Sequence, residues 1–169
     1  MLRADRTIRL AFVLVVSCTL AGCFRPMYAG IEGQQTRDRL ASVKVDQIPD
    51  RIGHYLGNEL MFALNGTGSE IPAAYRLNVV VSERVQTPLV DTYSGRATAG
   101  TVVIDANYKL TSTLDGRIVT QGTAFTAASY DRTSQRFADM RAARDAEIRD
   151  AKTLANQIQT RIAAVLSAE

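Results

Sequence analysis

Between Ser42 and Leu166 apolar and polar positions recur with two different periods, and the switches between them divide the chain into elements. Val43 and Val45 alternate with Lys44 and Asp46, which predicts a short half-buried strand. After Ile48 and Pro49 the period lengthens. Ile52, Tyr55, Leu56, Leu60, Ala63 and Leu64 recur at helical spacing, with Asp50 as candidate cap and Asn65, Gly66, Thr67 and Gly68 as the stop. From Tyr75 to Val85 the period is two again. Tyr75, Leu77, Val79 and Val81 share one face, and Val80 is the one apolar residue on the other. Gln86 to Gly95, broken by Pro88, reads as a loop.

A third strand from about Ala97 to Thr113 lines up Val102, Ile104, Ala106, Tyr108 and Leu110. Asp115 and Gly116 then predict a two-residue hairpin turn, whose central positions both need positive φ. Pairing Leu114 with Arg117 sets Ile104 beside Ala127, Ala106 beside Phe125 and Leu110 beside Gln121. That register turns Val119, Phe125 and Ala127 toward the covered face. From Ser134 to Leu166 neither Gly nor Pro occurs. Phe137, Met140, Ile148, Ala151, Ala155, Ile158, Ile162 and Val165 follow the 3.6 period, interrupted at Arg144. Thr133 or Ser134 is the candidate cap, and Asp145 with Arg149 forms an i, i+4 pair. Such a helix reaches roughly 50 Å against about 35 Å for the strands, so it outruns the sheet while serving chiefly as core cover.

The order strand, helix, strand, strand, strand, helix specifies an α/β (α+β) sandwich with a four-stranded mixed sheet. Strands one and two run parallel across the first helix, strands two to four form an antiparallel meander, and both helices cover one face. The other face keeps Arg76, Asn78, Asp105, Asn107 and Lys109, and suits water or a polar partner.

Upstream of this pattern, Arg3, Arg6 and Arg9 precede an uncharged run from Leu10 to Ala21. The run has the length of a signal-peptide apolar region and is too short to span a bilayer. It ends in Leu20, Ala21, Gly22 and Cys23, which resembles the bacterial lipobox. The resemblance implies cleavage before Cys23 and three covalent acyl chains on that residue, enough for lasting membrane attachment. Phe24, rather than Asp, stands next to the cysteine, and the lipoprotein resemblance then implies sorting to the outer membrane. The expected organisation is a signal peptide over 1–22, a lipidated tether over 23–41 containing Pro26, Gly30 and Gly33, and one α/β domain over 42–169. Phe24, Met27 and Tyr28 are expected to pack back on that domain, with rest at the membrane interface as the alternative.

Charge and chemistry narrow the functions. Without its leader the chain carries 17 basic and 16 acidic residues and has no polybasic run, which argues against a nucleic-acid partner. Cys18 leaves with the leader and Cys23 takes lipid, so no disulfide is expected. The single histidine, His54, falls off the helical stripe and reads as solvated. No acid, base and nucleophile arrangement and no metal-ligand spacing occurs, so neither catalysis, a metal nor a cofactor beyond the acyl chains is expected.

The succession of Cys23-Phe-Arg-Pro-Met-Tyr28, the helix with Arg51, Gly53, Leu56 and Leu60, the strand opening Tyr75-Arg76-Leu77 and an Ala-rich closing helix resembles the lipopolysaccharide-assembly lipoproteins of the LptE family. Phe24 stands where the family leads one to expect glycine. The resemblance implies a non-enzymatic outer-membrane lipoprotein that associates with the LptD β-barrel, helps assemble it and delivers lipopolysaccharide to the surface. A periplasmic auxiliary lipoprotein of an ABC-type lipid transporter is the alternative. The topology gathers Arg84, Arg96, Arg132 and Arg136 at one sheet end, making them candidate contacts for lipopolysaccharide phosphates, with Arg76 and Arg117 at the other.

Overall fold

A computed structural model describes residues 30–66, 71–87 and 97–168. The leader, the lipobox with Cys23, the residues Phe24, Met27 and Tyr28, Arg96 and most of the loop after Gln86 lie outside the described residues. Contacts divide the chain into two units, Met1–Gln34 and Gln35–Glu169, and the sheet and its helices belong to the second. The elements are α1 (Gly30–Ala41), β1 (Val43–Val45), α2 (Asp50–Asn65), β2 (Tyr75–Gln86), β3 (Ala99–Ser112), β4 (Ile118–Asp131) and α3 (Arg136–Leu166).

The sheet order is β1-β2-β3-β4, with β1 parallel to β2 and the remaining pairs antiparallel, as the periods predict. Leu77 and Val79 of β2 join Val102, Ile104, Ala106, Tyr108 and Leu110 of β3 on one buried face. Leu56, Leu60 and Leu64 of α2 and Leu154, Ile158 and Ile162 of α3 close over that face in a single core. Gly53 lets α2 come close to the preceding turn, since a Cβ there would stand 2.8 Å from the backbone carbonyl of Ile48. Gly66, at φ +60°, ends α2 as expected. Asp50 opens the helix in the left-handed region and makes no side-chain cap, contrary to the sequence expectation.

Three further expectations are corrected. The stretch before Ser42 is not irregular, because 30–41 forms α1, with Thr36 and Leu40 buried. Arg39 donates from Nη1 to the carbonyl of Leu166, 2.5 Å away, which occupies one of the acceptors left open at the end of α3. The buried positions Gly33, Thr36 and Leu40 have helical spacing, but a glycine and a threonine give no apolar signal to read as a period.

The hairpin between β3 and β4 is longer than two residues. Ser112 N–H donates to the carbonyl of Arg117, Gly116 N–H donates to Ser112, and only Gly116 takes a positive φ, at +69°. The ladder then jumps from Leu110↔Thr120 to Thr111↔Ile118, leaving Val119 as an extra, bulged residue. Upstream of the bulge Ile104 pairs with Thr126 and Ala106 with Ala124. Ala124, Thr126 and Ala128 are therefore buried, and Phe125, expected inside, is 53 % exposed on the open face. Small residues suit the inner side, where a Cβ on Gly122 would stand 2.8 Å from the Tyr108 hydroxyl.

Along α3 the third correction appears. Its buried residues begin at Ala146, and Phe137, Met140 and Ile148 are exposed instead of covering the sheet. Farther along, α3 also shields the outer edge of β4. Arg149, Gln157 and Arg161 donate to the carbonyls of Ser129, Phe125 and Thr123 at 3.2, 3.2 and 2.5 Å, occupying acceptors that an edge strand would otherwise offer to another chain.

Candidate functional site at the arginine end of the sheet

The register brings Gln86 beside Thr101 and Ala99 beside Asp131, so the end of β2, the start of β3, the end of β4 and the approach to α3 meet at one end. The candidate arginines do not act alike there. Arg84 lies on the open face and forms an ion pair with Asp105. Its charge is committed within the sheet. Arg132 and Arg136 instead border one hollow of about 410 Å³ together with Tyr130, Ser134, Asp139 and Met140. Both are exposed and neither has a side-chain hydrogen bond or ion pair among the described residues.

The rim of the hollow is fixed by the turn into α3. Asp139 accepts from Thr133 N–H at 2.6 Å and from the Thr133 hydroxyl at 3.3 Å, and Thr133 Oγ1 accepts from Gln135 N–H at 3.2 Å. Thr133 thus braces the helix start from outside, and the N-cap position itself is Gln135, which makes no side-chain cap. This arrangement spaces two guanidinium groups around a lining that mixes Thr133, Ser134 and Asp139 with Met140 and Ala143. Guanidinium groups bind phosphate or carboxylate through paired charge-assisted hydrogen bonds, so the hollow can hold an anion.

The open face of the sheet is polar and largely satisfied across its strands. Thr123 donates to Asn107 at 2.7 Å, and the hydroxyls of Thr101 and Ser129 stand 2.9 Å apart. Val80, Phe125 and Ile118, 61 %, 53 % and 49 % exposed, interrupt it. Phe125 is a surface residue that sequence reasoning missed, because the bulge at Val119 reverses the inward and outward sets. At the opposite end, Arg76 and Arg117 have carboxylate neighbours, Asp46 and Asp115, at 3.6 and 3.8 Å. Hydrogen bonds from Ser112 and from the Arg117 backbone hold the Asp115 carboxyl below its usual range.

Beneath the arginine end, α2 and α3 bury charge. Arg51 donates from Nε and Nη2 to the two Glu147 carboxylate oxygens at 2.9 and 2.6 Å. Asp150, one turn on, accepts from the Thr126 hydroxyl at 2.9 Å, while its Oδ2 has no partner. Burial pushes the Asp150 carboxyl above the usual range, against the opposing bonds from Thr126 and Ala128. Glu83 is raised too, first by desolvation and then by Glu147, with Arg51 opposing. Hydrogen bonding and charge from Glu147 raise the Arg51 guanidinium in turn. These groups lock α3 to α2 and β4. Among the described residues no three His, Cys, Asp or Glu side chains are grouped to hold a metal, and no helix is long and apolar enough to cross a membrane.

No curated protein matches the chain in sequence. Among solved structures it is similar to a protein of Caulobacter crescentus CB15 described as a lipoprotein, with 27 % identity and a TM-score of 0.68 over 79 % of this chain and 97 % of that one. It shares its fold with a minor lipoprotein of Acinetobacter baumannii, at 18 % identity and a TM-score of 0.56 over 72 % and 90 % of the two chains. Residues 40–162 match the family described as lipopolysaccharide-assembly, LptE. This span holds the whole sheet, α2 and all but the end of α3, and the chain belongs to the LptE family.

Proposed function

We propose that this chain is a non-enzymatic outer-membrane lipoprotein, anchored through acyl chains on Cys23, that associates with an LptD-type β-barrel and assists both its assembly and the delivery of lipopolysaccharide. The observation that carries this reading is the family match over residues 40–162. The open face supports the partner, since a sheet of cross-paired polar side chains interrupted by three exposed apolar residues suits the polar interior of a barrel. The hollow supports the ligand, since Arg132 and Arg136 offer unpaired guanidinium groups to phosphates such as those of lipid A. Arg84, held by Asp105, is left out of that contact set.

Mild-detergent co-purification with identification of the captured barrel tests the partner, and capture of an inner-membrane permease complex instead would overturn it. For the ligand site, Arg132→Glu with Arg136→Glu should weaken lipopolysaccharide binding while barrel association and thermal stability persist. Arg76→Glu with Arg117→Glu supplies the charge control, and equal losses in both pairs would remove the site. Cys23→Ala should release the protein from membranes or leave an uncleaved precursor. Normal processing and retention in that variant would end the lipid-anchor reading.

A further inference from the structure

The first turns of α3 carry an apolar stripe that the fold leaves uncovered. Phe137 is 78 % exposed, Met140 55 % and Ile148 41 %. With Arg141 and Arg144 they border one shallow hollow of about 520 Å³. At about 100° per residue these five side chains fall within roughly 100° of arc and about 16 Å of helix. The face that packs inward at this level, Ala146, Glu147 and Asp150, is centred about 130° away. The stripe is centred away from the buried face, and at its near edge Met140 lies about 20° from Glu147.

Its charge is net positive. Asp145, which also borders the hollow, is engaged by Arg149 at 2.9 Å, while Asp139 accepts from the neutral Thr133 and keeps its charge. Arg136, Arg141 and Arg144 have no side-chain partner among the described residues. We propose that this stripe lies on a membrane surface bearing anionic phospholipid headgroups, with Phe137, Met140 and Ile148 entering the boundary between headgroups and acyl chains. Arg141 and Arg144 run their aliphatic stems along the same stripe and place their guanidinium groups on lipid phosphates. Arg144 lies within the apolar arc and Arg141 about 20° beyond its Ile148 edge, and cations this close to apolar side chains fit a surface in which phosphate and methylene groups lie within one side-chain length of each other. A folded protein partner would have to bury both charges against matching carboxylates. The inference goes beyond the lipopolysaccharide-assembly reading and does not depend on it.

The chain contains no tryptophan, so a single substitution creates a clean reporter. Full-length Phe137→Trp and, as control, full-length Leu114→Trp are reconstituted into vesicles of phosphatidylcholine with phosphatidylglycerol, and of phosphatidylcholine alone, with brominated acyl chains as quencher. Leu114 is 95 % exposed in the hairpin at the far end of the sheet. The F137W emission should shift to the blue and be quenched in the anionic vesicles only, whereas L114W should be unaffected in both. Adding Arg141→Glu and Arg144→Glu should abolish the F137W quenching, and Arg141→Lys with Arg144→Lys should preserve it, at unchanged circular dichroism. F137W emission indistinguishable from that of L114W, or equal quenching without the anionic lipid, would overturn the proposal. A blue shift that appears only on addition of the barrel protein would assign the stripe to a protein partner instead.

Discussion

Replacing Arg51 by methionine keeps the aliphatic stem and removes the guanidinium from Glu147. The Glu147 side chain is 4 % exposed and Arg51 56 %, so the carboxylate depends on this one cation while the cation still reaches water. Breaking a fully buried pair costs about 3–5 kcal/mol. The half-exposed arginine is screened, and we expect about 2–3 kcal/mol for Arg51→Met after that discount. In a unit of this size that lowers Tm by roughly 6–12 °C. Arg51→Met combined with Glu147→Leu removes the stranded charge along with its partner, and should recover most of the loss. The double-mutant cycle should therefore give a coupling of at least about 1.5 kcal/mol. Urea unfolding of the parent, both single variants and the double variant measures it. A coupling below about 0.5 kcal/mol would refute the claim that this pair holds α3 against α2.

Two further outcomes follow from the same packing. Asp150 has a raised folded-state pKa, so the folded protein holds that proton more tightly than the unfolded chain, and the stability this supplies is lost as pH rises through the folded value. Asp150→Asn should accordingly raise Tm at pH 7, with the advantage fading toward about pH 4, near the unfolded pKa of Asp; a pH-independent difference in calorimetry would contradict this. Gly53→Ala should destabilise by about 1–3 kcal/mol in denaturant unfolding despite the better helix propensity of alanine, since the new methyl would meet Ile48 Cγ2 at 2.7 Å and its backbone at 2.8 Å. Unchanged stability would mean that α2 can shift.

Strand pairing and the inner sets of β2 and β3 were legible because their alternation is unbroken and each apolar residue faces the same core. In β4 the odd set offers Val119, Phe125 and Ala127 and the even set Ala124, Thr126 and Ala128, so apolar content alone favours the wrong one. The bulge at Val119 decides the matter, and one extra residue in a ladder leaves no mark in a hydrophobic pattern. The arginine end shows the same boundary. Topology sufficed to collect Arg84 and Arg132 at one end, since a meander must reverse at every turn. That Asp105 would neutralise Arg84 required the register between β2 and β3, which the long connection between those strands leaves open. Arg51 and Gly53, which carried the family resemblance, prove to be packing residues of α2.

The same reasoning explains why α3 exposes its first apolar residues. A periodic reading ranks Ile148 as buried and its neighbours Glu147 and Asp150 as solvated, because it weighs each side chain only by its own transfer free energy. Burying a carboxylate costs several kcal/mol when it is alone, but the sign of the choice changes once partners are supplied. Here they come from afar. Arg51 lies 96 residues from Glu147, and Thr126 lies 24 residues from Asp150. Once those bonds fix the rotation of α3 at residues 147–150, a face centred about 130° away must point outward, and that face contains Phe137, Met140 and Ile148. The exposed stripe is therefore a geometric consequence of the buried charges. A variant that loosens α3 at Glu147 should alter the presentation of the stripe along with the stability of the core.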